Sequence, residues 1–212
     1  MRGRISLLLS ALAAPALMAC QTVPSVPPSA ADAPPTEGTW RATATAQDRE
    51  RIRGWYRSWE AALSDARTRG HGAQIDREGI LLHPTAALPN PHLPAGNYRC
   101  RTIKVGTQGG GTLGYIAYGW FRCRVTAEQG IASLVKLTGS QRPVGLIFPD
   151  NLTRQVFLGT LELGDERLPV NYGSDRMRDM AGVGERVGGK PRRVVRAPPP
   201  PEKPLHRVAL RP

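Results

Sequence analysis

The chain has 212 residues and a formal net charge of +12 at pH 7, with 22% charged and only 6% aromatic residues. About 150 of them read as folded, which leaves room for one domain with a proper core and excludes several large ones. In a cytosolic chain such a charge would suggest nucleic acid, so the first question is which compartment the sequence addresses.

Met1-Arg-Gly-Arg4 is a short basic start, followed by an apolar run from Ile5 to Ala19 that ends Leu17-Met18-Ala19-Cys20. The run is shorter than the roughly 20 residues a spanning helix needs. Basic start, apolar middle and small end read as a cleaved export signal. The pattern resembles a bacterial lipoprotein signal, cut before a cysteine that is then acylated, so residues 1–19 are expected to be a signal peptide and Cys20 the lipidation site. Gln21 stands where an aspartate would favour inner-membrane retention, which places the chain on the periplasmic face of the outer membrane. There the available polyanions are lipid headgroups, lipopolysaccharide phosphates and acidic proteins rather than nucleic acid.

Residues 20–39 hold the acylated cysteine and a tether with five prolines between Gln21 and Gly38, of the extended, semi-rigid kind. The folded domain is expected over 40–190. Thr45-Ala-Gln-Asp48 opens a helix over 46–69 with a hydroxyl cap and an acid three residues on. Ile52, Trp55, Tyr56, Trp59, Leu63 and Ala66 repeat at helical spacing as one apolar stripe, and Gly70 supplies the stop. Trp55 and Trp59 on that stripe could stack a sugar, but a helix docking on the main domain is the reading preferred. His71 to Ala95, with Pro84, Pro89, Pro91 and Pro94, reads as a connector with at most one short turn.

From Gly96 the language changes to β. Tyr98–Val105, Tyr115–Thr126, Ile131–Leu137, Val144–Phe148 and Arg154–Leu163 are rich in aromatic and β-branched residues and divided by turn signals. Weaker strands are placed at Leu168–Tyr172, Met180–Val187, Arg192–Arg196 and Leu205–Leu210. Seven to nine antiparallel strands over a β-domain of 96–188 predict a mainly β fold, a lipocalin-like barrel or a sandwich, with one N-terminal amphipathic helix packed on it. Residues 191–212 form a basic, Pro-rich segment that supplies the closing strands or begins disorder. From Ser174 to Pro212 there are ten Lys and Arg against four Asp and Glu.

Three cysteines would leave one free thiol in an exported chain. With Cys20 acylated, Cys100 and Cys123 remain and are expected to pair in an oxidising periplasm. Their settings match, Tyr98-Arg-Cys-Arg101 and Phe121-Arg-Cys-Arg124, as two neighbouring strands would give.

Chemistry is harder to find. Gly106–Gly114 lacks the Gly-Lys-Ser/Thr of a phosphate cradle, and Ser140 lacks the second glycine of a nucleophile elbow. His71, His83, His92 and His206 have no zinc spacing. Asp165-Glu166 and Asp175/Asp179 read as solvated turn carboxylates, and Asn151-Leu-Thr153 as a glycosylation pattern without the usual machinery. Arg142, between a Gly-Ser turn and a proline, is the candidate clamp for a carboxylate or phosphate, its alternative being a brace to Asp150 or Asp179. No metal or cofactor is expected.

Lys136–Asp150, Phe157–Glu166 and Tyr172–Gly182, together with Trp55 and Trp59, resemble a family of bacterial envelope proteins known as domain of unknown function 4893. The likeness runs from about Trp40 to Gly188. Beyond it, members tend to carry a Trp-containing, more hydrophobic pair of closing strands, where this chain has Pro191-Arg-Arg-Val-Val-Arg196 and a tetraproline. The resemblance implies one domain and an envelope location, and carries over no catalytic residue. The reading preferred is therefore a non-catalytic lipoprotein held to the membrane by its lipid anchor, whose β-domain binds an amphiphilic small molecule or an envelope protein. An assembly role in contact with anionic lipid or lipopolysaccharide is the alternative, and an unrecognised hydrolase using His83 or His92 ranks last.

Overall fold

Among the described residues nine antiparallel strands form one sheet, and their pairing largely follows chain order. A computed structural model describes residues 39–107, 113–128, 130–164, 166, 168–188, 192–196 and 205–211. The expected signal peptide, Cys20, the expected tether up to Gly38 and the tetraproline lie outside the described residues. The strands are β1 (Gly96–Val105), β2 (Tyr115–Ala117), β3 (Phe121–Glu128), β4 (Ile131–Lys136), β5 (Gln141–Asn151), β6 (Arg154–Leu163), β7 (Asp179–Arg186), β8 (Arg192–Arg196) and β9 (Leu205–Arg211).

Each strand from β3 to β9 pairs with the next, and β9 returns to β1 from Arg99↔Arg211 to Val105↔Leu205, so the sheet curls round until its ends meet. A closed sheet leaves no long edge for another chain to extend. β2 and β3 occupy the same side of β1, offset by one in register, because residues 118–120 interrupt what the sequence reads as one strand. The closing strands β8 and β9 therefore form from the basic C-terminal segment, whereas 168–172 is turn and coil rather than a strand.

β5 is longer than its apolar stretch suggests because it absorbs Pro143 and Pro149. Both prolines lie outside the 144–147 stretch that pairs with β4, so neither interrupts that ladder. Gly145 and Gly159 face each other across β5 and β6. A β-carbon at Gly145 would lie 2.3 Å from the Leu158 carbonyl oxygen, and one at Gly159 2.7 Å from the Phe157 ring. Only glycine permits this approach, and the Phe157 ring occupies the space the missing side chains leave.

The helical segment is more divided than one helix over 46–69. It runs α1 (Thr39–Thr43), α2 (Ala46–Arg53), α3 (Trp55–Ala66), a turn at Arg67–His71, α4 (Gly72–Glu78) and a 3₁₀ turn (Gly79–Leu82). The Thr45 cap forms as expected, its hydroxyl accepting from Asp48 N–H at 3.1 Å. Gly70 takes φ 86°, a left-handed conformation that turns the chain, but helix resumes beyond it. The connector therefore holds more structure than its prolines suggest: all four lie after Leu82, and the stretch before them is free to coil.

Two cores result. Inside the curled sheet lie residues such as Tyr98, Val125, Ile147, Phe157 and Leu210. Outside it, Trp40, Ile52, Trp55 and Trp59 of the helices pack on Phe148, Val156, Leu158 and Val183. Further round the wall, Ala66, Ile75 and Leu82 cover Ile103, Val105 and Ala209. β6 is consequently buried on both faces, which explains why its sequence, Val-Phe-Leu-Gly-Thr-Leu, does not alternate. No described helix is long and apolar enough to cross a membrane.

Candidate functional site

Strand alternation decides which side chains the sheet encloses. On β1 the even positions Tyr98, Cys100, Thr102 and Lys104 point inward, whereas Ile103 and Val105 face the helices. On β4 the inward set is Ala132, Leu134 and Lys136; on β6 it includes Phe157 and Leu161. One end of the interior is filled by Leu93, Tyr98, Val125, Ala132 and Ile147. Towards the other end the filling stops, and a cavity of about 360 Å³ remains.

Cys100 and Cys123 form a disulfide, Cα–Cα 5.9 Å, between the filled end and the cavity. It ties β1 to β3 diagonally, Cys100 lying two residues beyond Tyr98, the register partner of Cys123. The cavity walls above it are chiefly apolar, with Leu134, Phe157, Leu161, Met180 and Val208. Thr102, Ser140 and Gln141 add polar atoms nearer the turns. Ser140 thus belongs to the cavity rim, in the β4–β5 turn.

Two lysines line the same space. Lys136 is buried, its ammonium donating to the Gln141 carbonyl at 2.8 Å and lying 3.8 Å from the centre of the Phe121 ring. Burial lowers its pKa from the ordinary lysine value, and the nearby Arg142 guanidinium pushes the same way. Lys104 lies 5.5 Å from the centre of the Tyr118 ring. Among the described residues neither lysine forms an ion pair, and no Asp or Glu lines the cavity.

Arg142 lies on β5 between two cavity residues, Gln141 and Pro143, but is not itself part of the lining. Its guanidinium donates to Glu162 Oε1 at 2.6 Å and to the carbonyls of Leu163, Glu166 and Gly164 at 3.0, 3.1 and 3.3 Å. It braces the end of β6 through Glu162, neither Asp150 nor Asp179 being its partner in these bonds. Trp59 is fully buried and donates its indole N–H to the Leu82 carbonyl at 3.2 Å. Trp55 stacks edge-on against it at 5.8 Å, with the Arg154 guanidinium 4.7 Å from its ring. Both indoles face the sheet, so the aromatic stripe is a docking face.

A buried polar cluster escapes the sequence reading. Asp48 Oδ1 accepts from Arg51 at 2.7 Å, while Oδ2 accepts from Thr45 Oγ1 at 3.0 Å and from the Tyr172 hydroxyl at 2.6 Å. Burial and the bond to Asp48 push the Tyr172 pKa upward. Asp179, expected in a solvated turn, is buried beside this cluster and accepts from Gly173 N–H at 2.9 Å. Desolvation raises its pKa. The Tyr172–Asp48 bond spans 124 residues in sequence and clasps α2 to the loop before β7. These carboxylates are enclosed, with neighbours on both oxygens of Asp48, and they organise packing.

On the outer wall, Trp120 is met by three guanidinium groups, Arg99, Arg101 and Arg211, at 5.3–5.4 Å from its ring. Arg101 also pairs with Glu78. His83 contacts Thr85 Oγ1 at 3.3 Å, and no group of three His, Cys, Asp or Glu converges as a metal set among the described residues.

The chain belongs to the family described as domain of unknown function (DUF4893), which matches residues 40–207. The match includes β8 and reaches into β9. No curated protein and no solved structure matches.

Proposed function

We propose that this member of the DUF4893 family is a non-catalytic binding barrel, displayed at the periplasmic face of the outer membrane by a lipid on Cys20, whose cavity takes a small amphiphile. The observation that carries the reading is the cavity itself. Protein interiors are close-packed, with few voids larger than a water molecule, and ligand pockets begin at about 300 Å³. A volume of about 360 Å³, apolar on its walls and polar at one rim, suits a chain with a head.

The test is native mass spectrometry of the chain from position 20 onward, exported behind a cleavable leader with Cys20→Ser so that no acyl chain is attached. A small-molecule adduct released on raising the collision energy is the expected result. A bare mass, together with no uptake of the neutral fluorophore N-phenyl-1-naphthylamine, would overturn the reading.

A second reading has its own observation. The arginines around Trp120 present cations beside an aromatic ring, an arrangement suited to an anionic lipid or lipopolysaccharide surface. It predicts that the same soluble chain floats with anionic vesicles at low salt and that Trp120→Ala with Arg99→Ala releases it. Absence of flotation at low salt would exclude this role.

A further inference from the structure

The structure assigns a charge to the ligand: we infer that the cavity takes an anionic single-chain amphiphile, its head held between Lys136 and Lys104 and its tail among Leu134, Phe157 and Met180. This rests on the binding-barrel reading and specifies the chemical class of the occupant.

The argument starts from the cost of a buried cation. A charge removed from water is tolerated when it is paired and hydrogen-bonded. Lys136 is 6% exposed, yet among the described residues its one hydrogen bond is to a neutral carbonyl, and the ring it meets is Phe121. An ammonium has three donors, so two remain for a partner that the described residues do not supply. Two enclosed arginines of this domain are treated differently. Arg51, equally buried, has Asp48 at 2.7 Å, and Arg142 has Glu162 at 2.6 Å. Carboxylates stand against these two enclosed guanidinium groups, and among the described residues none stands against the cavity lysine.

The second observation is the composition of the lining. Among the described residues that line it, Lys104 and Lys136 are the only ionisable cations, and none of the fourteen is Asp or Glu. The lysines share the rim with Thr102, Ser140 and Gln141, groups that can donate to oxyanions, while the apolar residues lie one or two strand positions deeper on the same inward faces. On β4 the order is Leu134 then Lys136; on β1 the disulfide at Cys100 lies below Thr102 and Lys104. A head at the rim and a chain beneath it match this order. Carboxylate and phosphate share the required chemistry, an oxyanion with more than one acceptor.

The experiment is isothermal titration of the soluble Cys20→Ser chain with four probes of one chain length: laurate, dodecyl phosphate, dodecanol and dodecylamine. One charged hydrogen bond contributes about 1.5–3 kcal/mol, so the anions should bind about 10- to 100-fold more tightly than the alcohol, and the amine more weakly still. Whichever of laurate and dodecyl phosphate binds more tightly identifies the kind of headgroup. Lys136→Met should remove most of the anion preference while leaving dodecanol affinity within about twofold, and Lys136→Arg should restore it. Equal affinity for anion, alcohol and amine overturns the inference and leaves the binding barrel standing. No binding of any probe overturns the barrel reading instead. Because the headgroup series is run on the unmodified cavity, the result does not depend on Lys136→Met folding.

Discussion

Truncating Trp59 tests whether the helical layer is integral to the domain. The indole is wholly buried, between the 3₁₀ turn that presents the Leu82 carbonyl and the outer faces of β6 and β7. A buried Trp hides about 200 Å², which at about 25 cal/mol per Å² gives an upper figure of about 5 kcal/mol. Large-to-small substitutions at such sites cost about 3–5 kcal/mol, the spread reflecting how far the surroundings collapse. The hydrogen bond to Leu82, at 3.2 Å, adds about 1 kcal/mol. Trp59→Ala should therefore cost about 4 kcal/mol, and Trp59→Phe, which keeps most of the ring and loses the N–H, about 1–2 kcal/mol. A domain with a total stability of about 5–15 kcal/mol would survive the first substitution only narrowly. The assay is urea unfolding followed by far-ultraviolet circular dichroism, since tryptophan fluorescence changes with the substitution itself. A single transition with a lower midpoint and unchanged slope is the expected form. A loss below about 1 kcal/mol, well under the range for buried aromatic truncations, would refute the argument, showing that the helices lie on the sheet without being held by it.

The other perturbations act on the disulfide and on the buried carboxylate. Removing the Cys100–Cys123 bridge by the double alanine substitution should cost about 3 kcal/mol, from the loop closed across a sequence separation of 23; alkylation of both thiols in the non-reduced, denatured chain would contradict the pairing. Asp179 has its pKa raised above 3.8, first by desolvation and further by Asp48, against the lowering bond from Gly173 N–H. The native state then holds this proton more tightly than the unfolded chain, so stability falls as pH rises from the unfolded value through the raised native one. Asp179→Asn keeps an oxygen for Gly173 and removes the charge, so it should match or exceed the parent at pH 7 and converge with it at pH 3. A loss greater than about 1 kcal/mol at pH 7 would show instead that attraction to Arg51 outweighs desolvation.

The regular elements were legible because they rest on local patterns. β6 runs from Arg154 to Leu163, between the turn signals that bound it in the sequence, and the Thr45 cap is written in four consecutive residues. Elements that depend on distant partners were not. Asp179 directly follows the turn at 176–178 and looks solvated; only the packing of α2, over 120 positions earlier, makes it interior. Arg142 found its carboxylate on the neighbouring strand, a matter of β5–β6 register, Arg142↔Glu162, that no local pattern discloses.

The cavity lysines fall between these cases, and there the sequence carried a signal that a local reading passes over. If Cys100 and Cys123 pair, both must face the same space, and alternation then carries Thr102 and Lys104 to that face as well. β3 and β4 are joined by a short turn, with Cys123 opposite Lys136. Residues directly opposite in an antiparallel pair point to the same side of the sheet, so the disulfide together with this register puts Lys136 on the face of the cysteines. Ala132 and Leu134 agree with it, standing four and two positions earlier on the same face. One covalent inference, with that register, therefore determines the orientation of two charged residues that composition would assign to solvent. What the sequence left open was closure, a barrel or a sandwich with 191–212 as closing strands or as disorder. β9, built from the basic C-terminal segment, returns to β1 and encloses those two ammonium groups over an apolar floor. A lysine facing the inside of an open sheet is a surface residue. Once the sheet curls shut, the same lysine becomes a cation in search of an anion.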